Sequence, residues 1–212
     1  LLSVFLKLAR RPLNLDHQAF TTGEFEMKTC LLVIDAQESF RQRSYFTTND
    51  LPAYAQAQNA LIDGCLTADV PIVRVFHVDG PATADNPFAQ ASGHVRPLVE
   101  LRPFEPAATF IKSRHSALVG NGLGVWLTEN GIQRLIISGI RTEQCCETTT
   151  RHASDLGWQV DYCLDATLTW DMLQPNGQIL RAADIKTRTA TVLADRFATV
   201  CNAPEALARL AN

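Results

Sequence analysis

Three stretches of this chain leave it little choice of architecture: TCLLVID at 29–35, PIVRVFHV at 71–78 and QRLIISGI at 133–140. Each is short, bounded by turn or charged residues, and dominated by Val, Ile and Leu. A short run that is apolar on both sides, with no clean alternation, is a strand buried on both faces. The intervening chain has a different rhythm. In DLPAYAQAQNALIDGCLTADV, Ala55, Leu61, Ile62 and Leu66 recur at helical spacing, and Pro52 sits near the start, where a helix tolerates it. Further strands are expected at ATFIKS (108–113), WQVDYCLDA (158–166) and TATVLA (189–194). Helices are expected at LGVWLTENG, closed by Gly131, at TEQCCETTTRHASDLG, ended by Gly157, at GQILRAADIKT, and at APEALARLA. Strands alternating with helices of this size make βαβ units. The expected fold is α/β: a three-layer αβα, Rossmann-like arrangement with a mostly parallel sheet and helices on both faces.

The composition narrows the function classes. A net charge of -3 argues against a nucleic-acid binder working through a basic surface. No run approaches the ~18–20 apolar residues of a membrane helix. The six cysteines show no C-x-x-C pairing, so neither a zinc framework nor a disulfide scaffold is indicated, and a reduced, cytoplasmic protein is expected. Most of the thiols then serve as small buried hydrophobes. The first 26 residues make a poor signal peptide, because the apolar patch is short and precedes its charges. They read as an added extension or a loosely packed, flexible arm, with residues 27–212 as one domain. DGPATADNPFAQASGHVRP (79–97) reads as a long loop of the kind that forms lids or rims.

In an open parallel sheet, ligands bind beyond the carboxyl ends of the strands. Three reactive groups fall there: Asp35 after the first strand, Lys112 at the end of ATFIK, and Cys145 just after QRLIISGI. Each alone has an ordinary explanation, respectively a turn or cap residue, a solvated lysine, and a packing cysteine. Together they supply what a thiol nucleophile requires. The thiolate is the reactive form, and its usual pKa of ~8.5 must be lowered by a cation or a helix amino terminus. Lys112 and the helix start are placed for that, and Asp35 can accept the thiol proton and later activate water.

Three motifs in order give these residues a context. VIDAQESF, IKSRHSAL and SGIRTEQCCETTTRHASDLGWQVDYCLDAT resemble the opening Asp, the lysine and the nucleophile segments of the isochorismatase-like cysteine hydrolases, which include nicotinamidases and N-carbamoylsarcosine amidases. The resemblance implies an Asp35–Lys112–Cys145 triad, the thiol falling three residues after Thr142, with Cys146 as a packing residue. It also implies a non-proline cis peptide at Ile140–Arg141, with the backbone amides of Arg141 and Cys145 forming an oxyanion hole. It implies a hydrolase that cleaves a C–N bond of a small amide or ureide through a thioester, and a homo-oligomer, dimer or tetramer.

Around this triad the sequence leaves choices open. Arg141, where relatives often have a small residue, faces the pocket and holds a carboxylate or carbonyl, or turns outward into an ion pair. Gln37 orients Asp35 or contacts substrate, and Phe40 covers one face of a planar substrate. His77 lines the pocket or is a hydrogen-bonded structural residue. Trp170 forms a pocket wall or a subunit contact. His115 and His152 read as surface or helix-packing residues, and Asp165 as a brace for the turn after it. The Asp-x-His metal pattern of nicotinamidases has no counterpart in VFHVDGPATADNPF, so no metal and no cofactor are expected. The rival functions are hydrolysis of an isochorismate-type vinyl ether and a non-enzymatic module that senses oxidants or binds a ligand through Cys145.

Overall fold

The computed structural model describes residues 27–211, so the expected extension at 1–26 lies outside the described residues. Six strands form one parallel sheet: β1 (Thr29–Ile34), β2 (Ile72–His77), β3 (Ala108–Lys112), β4 (Arg134–Ile140), β5 (Gln159–Leu168) and β8 (Thr199–Cys201). Their spatial order is β3-β2-β1-β4-β5-β8. The connections carry helices α1 (Leu51–Thr67), α2 (Leu123–Glu129), α3 (Glu147–Asp155) and α4 (Ala182–Leu193), and α5 (Ala203–Ala208) follows the last strand. Two-residue strands β6 (Met172–Leu173) and β7 (Ile179–Leu180) pair as a small antiparallel hairpin.

Successive side chains of a strand point to opposite faces, and β1 divides accordingly. Leu31 and Val33 join Leu61 and Ile62 of α1, Ile136 and Cys163 in one apolar core. Cys30, Leu32 and Ile34 join Leu127 of α2, Ile137, Tyr162 and Leu193 of α4 in the other. All six residues of β1 are buried, as the continuous apolar run requires. Burying one such side chain contributes about 1.5–3 kcal/mol, so both layers are held by the same effect.

One assignment is corrected. TATVLA is not a strand but the last part of α4, whose buried residues Ala182, Ile185, Thr189 and Leu193 recur every three or four positions. That stripe faces the core, and tertiary burial overrides the strand preference of Thr and Val. The final strand is instead β8, pairing Cys201 with Cys163. The helix expected from Thr142 also begins differently: Thr142–Cys146 forms a single π-helical turn, closed by Cys146 N–H donating to Arg141 O, before α3 starts.

The strands are parallel, so their carboxyl ends lie along one edge of the sheet. β1 delivers Asp35 there, β2 His77, β3 Lys112, β4 Arg141, and β5 Thr169 and Trp170. The approach of β4 to β1 is close. A Cβ at Gly139 would stand 1.9 Å from the Ile34 carbonyl oxygen, and its φ of +123° belongs to glycine.

Candidate active site

Asp35 turns the chain out of β1 with φ of +50°, a left-handed conformation that Asp tolerates better than most residues. Its N–H still donates to Val75 O at 2.8 Å, continuing the sheet for one more residue. Its side chain is fully buried, and Oδ2 lies 2.7 Å from Lys112 Nζ. Lys112 ends the edge strand in register with His77 and is only 2% exposed. Its ammonium also lies 3.1 Å from Arg114 O, 3.2 Å from His77 Nδ1 and 3.3 Å from Cys145 Sγ. An ammonium has three protons to give. Four acceptors share them here, so the nitrogen is held from every side.

Cys145 occupies the π-helical turn ahead of α3 and is 6% exposed. The turn is pinned from β5: Tyr162 OH donates to Thr142 O at 2.7 Å, and Thr142 Oγ1 donates to Thr167 Oγ1 at 2.8 Å. The Ile140–Arg141 peptide that precedes the turn is cis. Cys146 is fully buried in the core below, and burial pushes its thiol well up.

The electrostatics reverse one expectation. The Cys145 thiol is not lowered; it is pushed up to about 12, first by burial and then by the charge of Asp35, with Lys112 offsetting only part. Burial is the larger cause, and the Asp35 carboxyl 2.7 Å from the ammonium adds to it. Asp35 is raised by burial, with Lys112 opposing. For Lys112 burial pulls down, but Asp35 and Cys145 outweigh it and the net direction is up. The geometry sets the Asp35 carboxyl against the Lys112 ammonium, with the Cys145 thiol beside them.

The remaining predicted residues serve mainly to brace. Gln37 does not reach the Asp35 carboxylate; its amide accepts from His77 N–H at 2.7 Å and donates to His77 O at 3.0 Å and Ser39 Oγ at 2.7 Å. It extends the β2 edge by a side chain and so fixes His77. His77 is half-buried, packed edge-on against Phe88, and lowered to about 4 by burial and by Lys112, so a neutral imidazole faces the ammonium. Phe40 and Trp170 are both buried and stack at 5.8 Å, and Trp170 Nε1 donates to Thr47 O. Tyr45, Phe46 and Phe88 complete this aromatic layer.

Arg141 takes neither of its two expected positions. It is buried, with Nε 3.1 Å from Glu143 Oε1, hydrogen bonds to Thr169 Oγ1 and Trp170 O, and its guanidinium over the Tyr45 and Trp170 rings. The ion pair exists but points inward, tying the turn that carries Cys145 to the end of β5. Asp165 accepts from Ala203 N–H and so braces the start of α5.

Sequence reasoning missed the role of the 113–118 loop. His115 is exposed, yet its Nδ1 lies 3.9 Å from Cys145 Sγ. His152 of α3 is hydrogen-bonded to Ser116 at 2.9 Å. The signal was present: His115 lies three residues beyond Lys112, within the same motif.

Among the described residues, no group of three or more His, Cys, Asp and Glu side chains is arranged to hold a metal ion, and no helix is long and apolar enough to cross a membrane. A groove of about 310 Å³ lined by Val33, Phe76, Leu98 and Phe104 opens on the α1 side of the sheet, and no triad residue lines it.

The model of the isochorismatase domain matches residues 29–201, which takes in every strand of the sheet and all three reactive groups. The chain belongs to the isochorismatase family of hydrolases. Among its relatives is the isochorismatase family protein YrdC of Bacillus subtilis, 25% identical over 82% of this chain and 92% of that protein. Nicotinamidase 3 of Arabidopsis thaliana is 26% identical over 66% of this chain and 73% of its own length. The crystal structure of a cysteine hydrolase from Pseudomonas syringae pv. phaseolicola superposes with a TM-score of 0.79, covering 98% of this chain and 99% of that one at 22% identity. That last likeness speaks for the fold.

Proposed function

We propose that this family member is a cysteine hydrolase that cleaves the C–N bond of a small amide or ureide through a thioester on Cys145. The observation that carries the proposal is the position of Lys112 Nζ, 2.7 Å from Asp35 Oδ2 and 3.3 Å from Cys145 Sγ. It joins an acid and a thiol at a dry strand end.

In the resting site the thiol holds its proton chiefly because it is buried. As the substrate carbonyl arrives, the proton passes from sulfur to Asp35. The same ammonium then faces a thiolate in place of a carboxylate, so the charge on Lys112 is never left unpaired. Sulfur attacks the carbonyl carbon, and the oxyanion falls to the backbone amides of Arg141 and Cys145. The C–N bond breaks as nitrogen takes the proton from Asp35 and leaves as ammonia or an amine. Water then adds to the thioester, giving a proton to Asp35. The C–S bond breaks, and the departing thiolate recovers that proton. A high thiol pKa at rest is compatible with this cycle, because attack and proton transfer to Asp35 are coupled. The Arabidopsis relative is named as a nicotinamidase, which supports this chemistry.

The test is a screen of nicotinamide, N-carbamoyl amino acids, biuret-like ureides and simple carboxamides for ammonia release, with the Cys145→Ala protein as blank. Turnover by the native chain that vanishes in the variant is expected. Turnover that survives Cys145→Ala would eliminate the proposal.

A further inference from the structure

The triad is sealed from water, whereas the imidazole beside its sulfur is not. Asp35 is fully buried, Lys112 is 2% exposed and Cys145 6% exposed, while His115 is exposed with Nδ1 3.9 Å from Sγ. Catalytic hydrogen bonds are often long without substrate, and this one is at the outer limit for sulfur.

The loop that carries His115 is fastened on both sides to the groups it would serve. On one side Lys112 Nζ donates to Arg114 O at 3.1 Å. On the other, Ala117 N–H donates to Thr149 Oγ1, and that hydroxyl donates to Cys145 O at 2.6 Å. Between these ties Ser116 Oγ is hydrogen-bonded to His152 Nδ1 of α3 and accepts from Leu118 N–H. A merely solvated histidine has no need of a frame linked to the carbonyl of the nucleophile itself. Cys145 from the π-helical turn lies against the imidazole, and Asp35 beyond β1 and His77 from β2 feel its charge. Imidazole is the side chain that exchanges protons between about pH 5 and 8.

We infer that His115 is a second proton acceptor for the Cys145 thiol, working from the solvent side and joining the sealed triad to bulk water. The inference rests on Cys145 being the nucleophile. Its step balances simply: the S–H bond breaks, Nδ1 takes the proton, and a thiolate remains between Lys112 and an imidazolium. The reverse transfer, or loss of the proton from the ring to water, resets the site. Two acceptors then divide the work. Asp35 holds the proton that goes to the leaving nitrogen, and His115 exchanges with solvent.

Iodoacetamide alkylation of the full-length protein tests this without any substrate, with labelling at Cys145 followed by peptide mass spectrometry from pH 5 to 9. His115→Asn keeps a polar atom near the Nδ1 position but cannot take the proton. It is expected to label about tenfold more slowly near pH 7 and to show a changed dependence of rate on pH. Ser116→Ala, which frees the loop, is expected to lower the rate in the same direction by a smaller factor. A His115→Asn rate and profile within twofold of native would overturn the inference. A uniform drop with an unchanged profile would also overturn it, since that marks a structural role. Failure of the amide-hydrolysis proposal would appear instead in the ammonia-release screen, which alkylation does not depend on.

Discussion

The sheet carries a buried carboxylate–cation pair at each end, and the two differ in what surrounds them. At the carboxyl ends of the strands Asp35 meets Lys112 at 2.7 Å with neither side chain exposed. Near the amino ends Asp161 of β5 meets Arg209 at 3.0 Å, with Arg134 of β4 at 3.9 Å. Asp161 is almost as buried as Asp35, but Arg209 is 37% exposed, so water reaches that pair from one side. The Arg134 guanidinium also donates to Arg209 O, which fastens the start of the chain's last described helical turn to the sheet. The first pair has a thiol at 3.3 Å and a neutral imidazole at 3.2 Å from its cation, which also donates to Arg114 O of the following loop. A dry pair is expensive to maintain unless its hydrogen bonds are well satisfied. The contrast is one of access: the first pair is closed to water with a thiol beside it, and the second is open on one side.

The largest expected difference between the two ends is in activity. Asp35→Asn should lower kcat/KM by ~10²–10⁴-fold, the range of a lost acid–base group. Asp161→Asn should leave the rate constant essentially intact and cost about 1–3 kcal/mol of stability through its impaired pairing. Parallel kinetics and denaturant titrations check both, and similar activities for the two variants would break the comparison.

Stability should separate the cations next. Lys112→Met leaves a carboxylate buried without a partner, a change worth about 3–5 kcal/mol. The sign follows from Asp35, which burial already raises in the folded state and which then loses the ammonium opposing that rise. A carboxyl raised on folding stabilises most when protonated. The deficit relative to native should therefore be smallest in acid and grow as pH climbs above the ordinary value of 3.8. Arg209→Met, at a wetter site, should change stability by no more than about 1 kcal/mol.

Gly139→Ala probes the backbone that sets the reactive end. The added methyl meets the Ile34 carbonyl at 1.9 Å and φ is +123°, so β4 must move away from the residue preceding Asp35. A loss of roughly 2–4 kcal/mol is expected, with activity falling further than stability alone explains. The smallest effect concerns His77. Its folded value of about 4 lies below its ordinary 6.5, so the unfolded chain gains a proton that the native site refuses, and stability is lost as pH falls from 6.5 to 4. His77→Gln should flatten that limb by a few degrees in Tm at most, because the ring is only half-buried.

Much of this was legible in the residues. The parallel sheet followed from short Val/Ile/Leu runs alternating with segments of helical spacing, which make βαβ units. The convergence of Asp35, Lys112 and Cys145 followed from the rule about strand ends. TATVLA misled because Thr and Val favour strands locally, while the stripe that buries Thr189 and Leu193 becomes evident only once Ala182 and Ile185 are counted with them. Arg141 could not be placed because its partners, Glu143, Thr169 and Tyr45, come from three separate parts of the chain. The thiol expectation failed for a similar reason. The burial of the sulfur outweighs the cation beside it and the Asp35 contact with Lys112 adds an opposing charge, and both are facts of three dimensions.

The account stands on Cys145 carrying the acyl group during turnover. Rapid quenching of the native enzyme with the best amide from the screen, followed by peptide mass spectrometry, measures that directly. An adduct of the acyl mass on the peptide holding Cys145 and Cys146, localised to Cys145 and released by hydroxylamine, is the predicted result. Sustained turnover with no adduct at any quench time, or an adduct localised to Cys146, would contradict it.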